Sequence, residues 1–509
     1  VICVAVAVVG VPVLQIFSHD IFISLDGGWR VLHGQRPSVD FYSQMGPAYY
    51  LLHATGLWLA GGDARGLGYG STIATSVLCV WSFLLLCLRM KPGPFFLALI
   101  FLAMLAAAPF PIGSPYFAAS FSMKHNRYCF ALTGLVLLES FLPHFENTRK
   151  RQFFFAFSSG FACALMLFLK ISYGFVGLAI AAVSLLLQAR VRTRLEGLMT
   201  GFAAFSLPMM AYLRFDLYAQ LLQYKLLAGV QSNRLSLASV HRVLFHDRLE
   251  LALVALMVGL LTTLPGVSIR RKITLTFAVA IALSASLLLM MTNTQRSGMP
   301  LLGVAVLLLL NEIQIPHFEA STLPKTAALL LMGLGVVGFP VLIEAAGIAV
   351  ALEHKLQLDP EIAHFREAPV ASIGFAECPV AALHVPFNPA DNGQNLVRQT
   401  EEGIALAQAN IRPGESVQGL TLSNPFSFSM RRAPALGGAV NLSNTNISPS
   451  SMPPKKLLFG DVDLILVPKF HDSGRKTLDA ILHAYPELLV IDYRFVAESE
   501  NWTLYRRTK

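Results

Sequence analysis

The chain has 509 residues, of which 54% are hydrophobic and only 14% charged, with a mean hydropathy of +0.58. An ordinary soluble domain is about a quarter charged, so this composition excludes a soluble fold for most of the chain. The net charge of +9 does not point to nucleic acid, because the basic residues gather in short loops between apolar runs, where they set orientation in a membrane.

Val1 opens directly into an apolar run with neither a methionine nor a basic stretch before it, so the start of the protein is expected upstream. Apolar runs follow one another at 1–17, 69–88, 95–111, 128–142, 153–169, 171–188, 197–213, 249–265, 273–291, 299–313 and 325–352. A span needs about 20 apolar residues, and together the runs predict an α-helical polytopic membrane domain over 1–352 with about eleven transmembrane helices. Cys3, Cys79, Cys87, Cys129 and Cys163 lie inside these runs and Cys378 stands alone in the polar tail, so they read as small hydrophobes and not as a disulfide framework.

Four basic clusters fall on one side of such a chain: Arg89 with Lys91, Arg149-Lys150-Arg151, Arg190 with Arg192 and Arg194, and Arg270-Arg271-Lys272. Their density in short loops makes that side cytoplasmic. Residues 18–68, 112–127, 214–248 and 292–298 then face outside, the periplasm if the membrane is a bacterial inner (plasma) membrane. Chemistry there proceeds without ATP or nucleotide sugars. Pro47–Leu59 (PAYYLLHATGLWL) is apolar but short, and its Tyr, His and Trp suit a helix lying on the membrane surface or re-entering it.

The tail, 353–509, alternates polar helices with short apolar strands and predicts a small external α/β soluble domain. Helices are expected at Asn395–Asn410 and over 473–484, and strands at Ser416–Leu422, Val462–Val467, Leu488–Val496 and Trp502–Arg506. Ser443–Pro454, polar and proline-rich, predicts a loop.

Ser18–Tyr50 (SHDIFISLDGGWRVLHGQRPSVDFYSQMGPAYY) concentrates Asp20, Asp26 and Asp40 beside a membrane entrance, where carboxylates are costly to desolvate without a use. Asp26 opens two helical turns ending at Gly34, and Pro37 starts an extended stretch that returns Asp40 towards the membrane. This order of Asp26, Gly34–Pro37, Asp40-Phe41 and Gly46-Pro47 resembles the first external loop of the C-type (GT-C) membrane glycosyltransferases, particularly bacterial relatives of protein O-mannosyltransferases and lipopolysaccharide sugar transferases. Two departures are present. Gly27 stands where a Glu often follows the first acidic residue, and Met45-Gly46-Pro47 replaces the usual Lys-Pro-Pro, removing a phosphate-binding lysine.

The resemblance implies sugar transfer from a polyprenyl-phosphate-linked donor to a periplasmic glycolipid, polysaccharide or protein, with membrane lipid and no nucleic acid as further partners. Such transfer needs a base for the acceptor hydroxyl and positive groups for the departing phosphate. Asp26 is the candidate base, and Asp40 is expected to orient the acceptor or the sugar. Lys124, Arg127, Lys170 and Arg296 are the candidate phosphate partners. Lys170, set between Leu169 and Ile171 in a tight turn, is expensive there without an anion. The structural alternatives are helix caps for the aspartates, Asp20 above all, a snorkelling anchor for Lys170 and a headgroup contact for Arg296. No residue set requires a cofactor; a divalent metal is left open. Asp461-Val-Asp463 precedes a strand instead of following one, so it reads as a turn, and Gly66, Gly68 and Gly70 read as a flexible membrane entrance. Two other functions fit the composition: a transporter or flippase of lipid-linked saccharide, and a non-catalytic anchor presenting the C-terminal domain.

Overall fold

The computed structural model describes residues 1–10, 20–114, 120–143, 148–187, 190–231, 237–263, 267–292, 298–312, 323–356, 393–443, 446–470 and 474–508. Helix α1 (Ile2–Val9) opens the chain, and α2 (Asp20–Leu32) and α3 (Pro47–Leu59) occupy the first polar loop. The next six apolar runs form α4 (Gly66–Leu86), α5 (Pro92–Ala107), α6 (Lys124–Phe141), α7 (Arg149–Leu169), α8 (Ile171–Leu187) and α9 (Val191–Tyr212). Then come α10 (Leu217–Gln231), α11 (Leu237–His246), α12 (Arg248–Thr263), α13 (Ile269–Met291) and α14 (Pro300–Glu312). Helices α15 (Leu323–Gly333) and α16 (Phe339–Leu356) are joined by a π-helical turn at Leu334–Gly338.

Each apolar run of the sequence carries a helix among the described residues. Among the described residues, four helices are long and apolar enough to cross a membrane alone: Gly66–Leu86, Arg149–Leu169, Ile269–Met291 and the continuous Ala327–Glu353. A fifth is the pair Val191–Tyr212 and Leu217–Val230, bent by 101°. Pro92–Ala107, Ile171–Leu187 and Pro300–Glu312 are apolar but shorter, and at about 1.5 Å per residue they fall short of a hydrocarbon core of about 30 Å. By length and composition the described helices therefore give four to five candidate spans, beside the shorter apolar helices, where about eleven spans were expected. An apolar run signals burial inside a bundle as well as contact with lipid, and α6 and nearly all of α14 are enclosed by protein.

Helix α6 is the axis of the bundle, packed by α4, α5, α7, α8, α13 and α14. It is buried along its whole length although it carries Lys124, His125, Arg127 and Glu139. At its C-terminal end Glu139 takes two bonds from Arg194 Nη2 (2.7 and 3.0 Å) and one from Ser159 (2.9 Å), and Arg89 Nη1 lies 3.9 Å away. Arg89 also donates to the Glu139 and Leu142 carbonyls and stacks on Phe155, while Arg271 pairs with Glu312 (2.7 Å). Three arginines of the basic clusters are thus joints between helices as well as topological signals.

Gly66, Gly68 and Gly70 lie inside α4 and correct the expectation of a flexible entrance. A Cβ on Gly66 would sit 2.4 Å from the Leu57 backbone, and one on Gly68 2.8 Å from that of Gly10. The three glycines let α3 and α1 approach α4 at backbone distance, the usual reason for small residues between membrane helices.

Helix α17 (Gly393–Asn410) begins the described part of the C-terminal domain. Its sheet has the order β1-β2-β4-β3, with β1 (Val417–Gly419), β2 (Leu464–Pro468), β3 (Tyr493–Glu498) and β4 (Trp502–Arg507). The β1–β2 pair is parallel and the others are antiparallel. Helix α18 (Arg475–Ala484) lies between β2 and β3. The predicted strand at Leu488–Val496 starts late, because Leu488–Asp492 is a π-helical turn. A short apolar run does not by itself distinguish a strand from a helical turn. Asp463 receives the backbone N–H (2.9 Å) and hydroxyl (2.8 Å) of Ser416 at the start of β2, as the turn reading of Asp461-Val-Asp463 expected.

Candidate active site

Asp20 in the first turn of α2 suits the helix dipole, and Gly34, at φ +80°, ends the following turn. Between them Asp26 and Arg30 stand one helical turn apart on a face wholly enclosed by protein. Asp26 is 0% and Arg30 1% exposed. Arg30 Nε donates to Asp26 Oδ2 at 2.9 Å, and the amide of Asn424 in the C-terminal domain donates to Asp26 Oδ1 at 3.0 Å. Arg30 Nη2 reaches Gln418 Oε1 (2.9 Å), which also accepts from Asn424 Nδ2 (3.3 Å). Asp26, Arg30, Gln418 and Asn424 therefore form a closed ring of hydrogen bonds. Burial pushes the Asp26 carboxyl above its ordinary range, and Arg30 and Asn424 pull it back without cancelling that push.

The C-terminal domain grips the rest of this loop through its backbone. Arg30 Nη1 donates to the carbonyls of Ala435 (3.0 Å) and Gly437 (2.8 Å), Gln35 to Pro434 (2.7 Å), and the Trp29 indole to Arg432 (2.8 Å). Gly438 has φ +99°, and a Cβ there would lie 2.7 Å from both Arg30 Nη2 and Gln418 Oε1, so only glycine lets the backbone come this close. Asp40 is held by Arg36 through both oxygens (2.8 and 2.9 Å), and its carbonyl accepts the Gly437 N–H (2.7 Å). Asp40, partly exposed, thus ties Arg36 and the Gly437 backbone together at this loop.

On the other side of α2, residues from distant segments converge. Pro47 starts α3, and Gly46 runs so close to the end of α7 that its N–H donates to Leu169 O (3.1 Å). The ring of Tyr50 lies against Gly27, beside Asp26. Tyr49 hydrogen-bonds Ser24 (2.7 Å) and meets His53 edge-on at 4.3 Å and His125 at 5.6 Å. Lys170 Nζ donates to Asn126 Oδ1 (3.0 Å) and lies 3.5 Å from His125 Nε2. Lys124, 2% exposed, donates to Ser71 Oγ and to Ala107 O (3.3 Å) and is met by neutral oxygens only among the described residues. His53 is fully buried with neither ring nitrogen hydrogen-bonded. A chain of contacts thus runs from Lys124 through Phe121, His53, Tyr49 and His125 to Lys170, and Tyr49 is joined to Tyr50, which lies against Gly27 beside Asp26.

Lys124 and Lys170 of the expected phosphate partners enter this cluster. Arg127 does not. Its guanidinium turns away to Glu344 of α16 (3.0 Å) and to the carbonyls of Leu105 (3.0 Å) and Phe110, so it locks α6 to α16. Arg296 lies outside the described residues. Asp20 hydrogen-bonds Ser120. Arg30, Arg36 and His53 escaped the sequence reading as site residues, although the i,i+4 spacing of Asp26 to Arg30 and of Arg36 to Asp40 was a usable signal. Gln418 and Asn424, about four hundred residues from their partners, gave none. Among the described residues no three His, Cys, Asp or Glu side chains group as a metal site.

Architecture and site together define a polytopic, helical membrane protein whose first loop is sealed by its C-terminal domain. No family model matches the chain and no curated protein matches it. Over 99% of its length the chain is similar to a crystal structure of ArnT from Cupriavidus metallidurans bound to undecaprenyl phosphate, with 13% identity, 96% of that chain covered and a TM-score of 0.46. The apo ArnT structure gives the same identity and coverage with a TM-score of 0.41. At that level of similarity the reading of the site rests on this chain's own residues.

Proposed function

We propose that this protein is a membrane glycosyltransferase that moves a sugar from a polyprenyl-phosphate-linked donor to an acceptor hydroxyl at the face of the bundle carrying the C-terminal domain. The supporting observations are the enclosed Asp26 carboxylate on α2 and the chain of contacts from Tyr50, whose ring lies against Gly27, through Tyr49 and His125 to Lys170 and through His53 and Phe121 to Lys124. In the reaction the acceptor oxygen bonds to the anomeric carbon as the bond from that carbon to phosphate oxygen breaks. The hydroxyl proton passes to Asp26, and Lys124 and Lys170 stabilise the departing polyprenyl phosphate. A carboxylate raised by burial is a stronger base than an exposed one, and each Asp26 oxygen keeps a second lone pair beyond its present partner. We assign the face to the periplasm of a bacterial inner membrane, from the density of basic residues at the opposite loops.

Complementation of a deletion strain by Asp26→Asn, with glycans profiled by mass spectrometry and protein level by immunoblot, tests this. A normal level with one sugar missing from a glycan is the expected result, and full restoration of every glycan removes Asp26 from the role of base. The complete burial of Asp26 favours a second reading, in which it is a joint seating the C-terminal domain of a non-catalytic anchor. That reading expects the Asp26→Asn protein to be lost, since Arg30 would keep a buried charge without its counter-ion.

A further inference from the structure

We propose that Asn424, carried by the C-terminal domain, is a positioning residue for Asp26, so that the transfer site is assembled jointly by the membrane bundle and the soluble domain. This rests on the reading of Asp26 as the base and extends it to a residue outside the membrane domain.

The geometry is over-determined at Asn424. Its Oδ1 accepts the backbone N–H of Gly419 (3.0 Å), which fixes which end of the amide faces α2. Its Nδ2 is therefore the end presented to Asp26 Oδ1 (3.0 Å) and Gln418 Oε1 (3.3 Å). Gln418 is held in turn by its own amide on the carbonyls of Gly419 (3.2 Å) and Ala439 (3.1 Å). Asp26 Oδ2 is held by Arg30, whose other nitrogens are taken by Gln35, Gln418 and two backbone carbonyls. Rotation of the carboxylate about its bond to Cβ is thus blocked at both oxygens, one from each domain. The groups facing Asp26 that carry charge or titrate are Arg30 on its own helix and Tyr50 from α3. The C-terminal domain offers only the neutral amides of Asn424 and Gln418. A donor amide favours the charged carboxylate and leaves its proton acceptance intact, whereas a second carboxylate at this point would oppose ionisation.

The test reads the ionisation of Asp26 without any substrate. Membranes holding the full chain are treated with dicyclohexylcarbodiimide, which modifies protonated carboxyls in apolar surroundings, and labelling of Asp26 is followed by mass spectrometry against pH. Asn424→Leu moves the labelling midpoint up by about one pH unit. Asn424→Asp, which keeps the Gly419 contact and nearly the same shape, moves it further. Arg431→Ala is the control for a loosened seam, since Arg431 holds Gly62 O and stacks on Trp29 and Phe428 without touching Asp26. An unchanged midpoint in both Asn424 variants overturns the proposal, and so does an equal shift in Arg431→Ala. Glycan loss in Asp26→Asn decides the transfer reading separately, so failure of one does not imitate failure of the other.

Discussion

The two ends of α6 solve the problem of buried charge in opposite ways. At the C-terminal end Arg89, Arg194 and Arg271 are brought to carboxylates, Glu139 and Glu312, and to the carbonyls of fraying helix ends. At the N-terminal end Lys124 is met by a hydroxyl and a carbonyl, and Lys170 by an amide and an imidazole. A buried ion pair neutralises itself and stiffens the helices that share it. A lysine met by a hydroxyl and a carbonyl, as Lys124 is, retains its attraction for an anion that arrives from outside. The difference separates a part of the bundle built to hold from a part suited to bind.

Substitutions sharpen that contrast in order of expected effect. Glu139→Gln leaves the Arg194 guanidinium buried without its counter-ion, and the loss of stability is expected to be about 3–5 kcal/mol, read as earlier thermal aggregation of the detergent-solubilised protein. Lys124→Met is expected to leave that temperature nearly unchanged while transfer falls by about 10²–10³-fold, as for removal of one group that stabilises developing negative charge. Comparable loss of stability in both variants would dissolve the distinction. The Arg127–Glu344 pair belongs with the holding end in character although it sits near the binding end. A double-mutant cycle with Arg127→Met and Glu344→Gln is expected to give a coupling of about 1–3 kcal/mol in stability. The smallest effect concerns pH. If Asp26 is the base proposed above, it acts only when deprotonated and burial raises its pKa, so transfer is expected to be full at higher pH and to decline as pH falls through a midpoint raised above the ordinary aspartate value. An acid limb within that ordinary range would assign the base elsewhere.

Helix positions were legible because apolar runs are the signal of burial, and all eleven runs hold helices. Apolarity alone does not separate lipid contact from burial in the bundle, since α6 and nearly all of α14 are enclosed by neighbouring helices. At the site, Asp26 stood out as a carboxylate in an apolar neighbourhood, and Lys170 as an ammonium between leucine and isoleucine. Arg127 looked equivalent to Lys124 one helical turn away, yet its longer reach carries the charge to Glu344, a partner placed by the packing of α16 on α1 and α5. The alternation in the tail gave its strands, but nothing local in Asn424 or Gln418 marks them as partners of Asp26. That pairing depends on how the sheet domain seats on the first loop.

The ring around Asp26 joins residues 398 positions apart in the chain. Contacts of such separation form late, after most of the chain entropy has been spent on nearer ones. During synthesis the helices up to α16 can be inserted and packed while Asp26 still lacks Asn424 and Gln418. A chain stalled or clipped before its final hundred residues would hold a bundle without an assembled carboxylate. Under the proposed reading, competence for transfer is tied to completion of the polypeptide, and unfinished copies in the membrane would be silent.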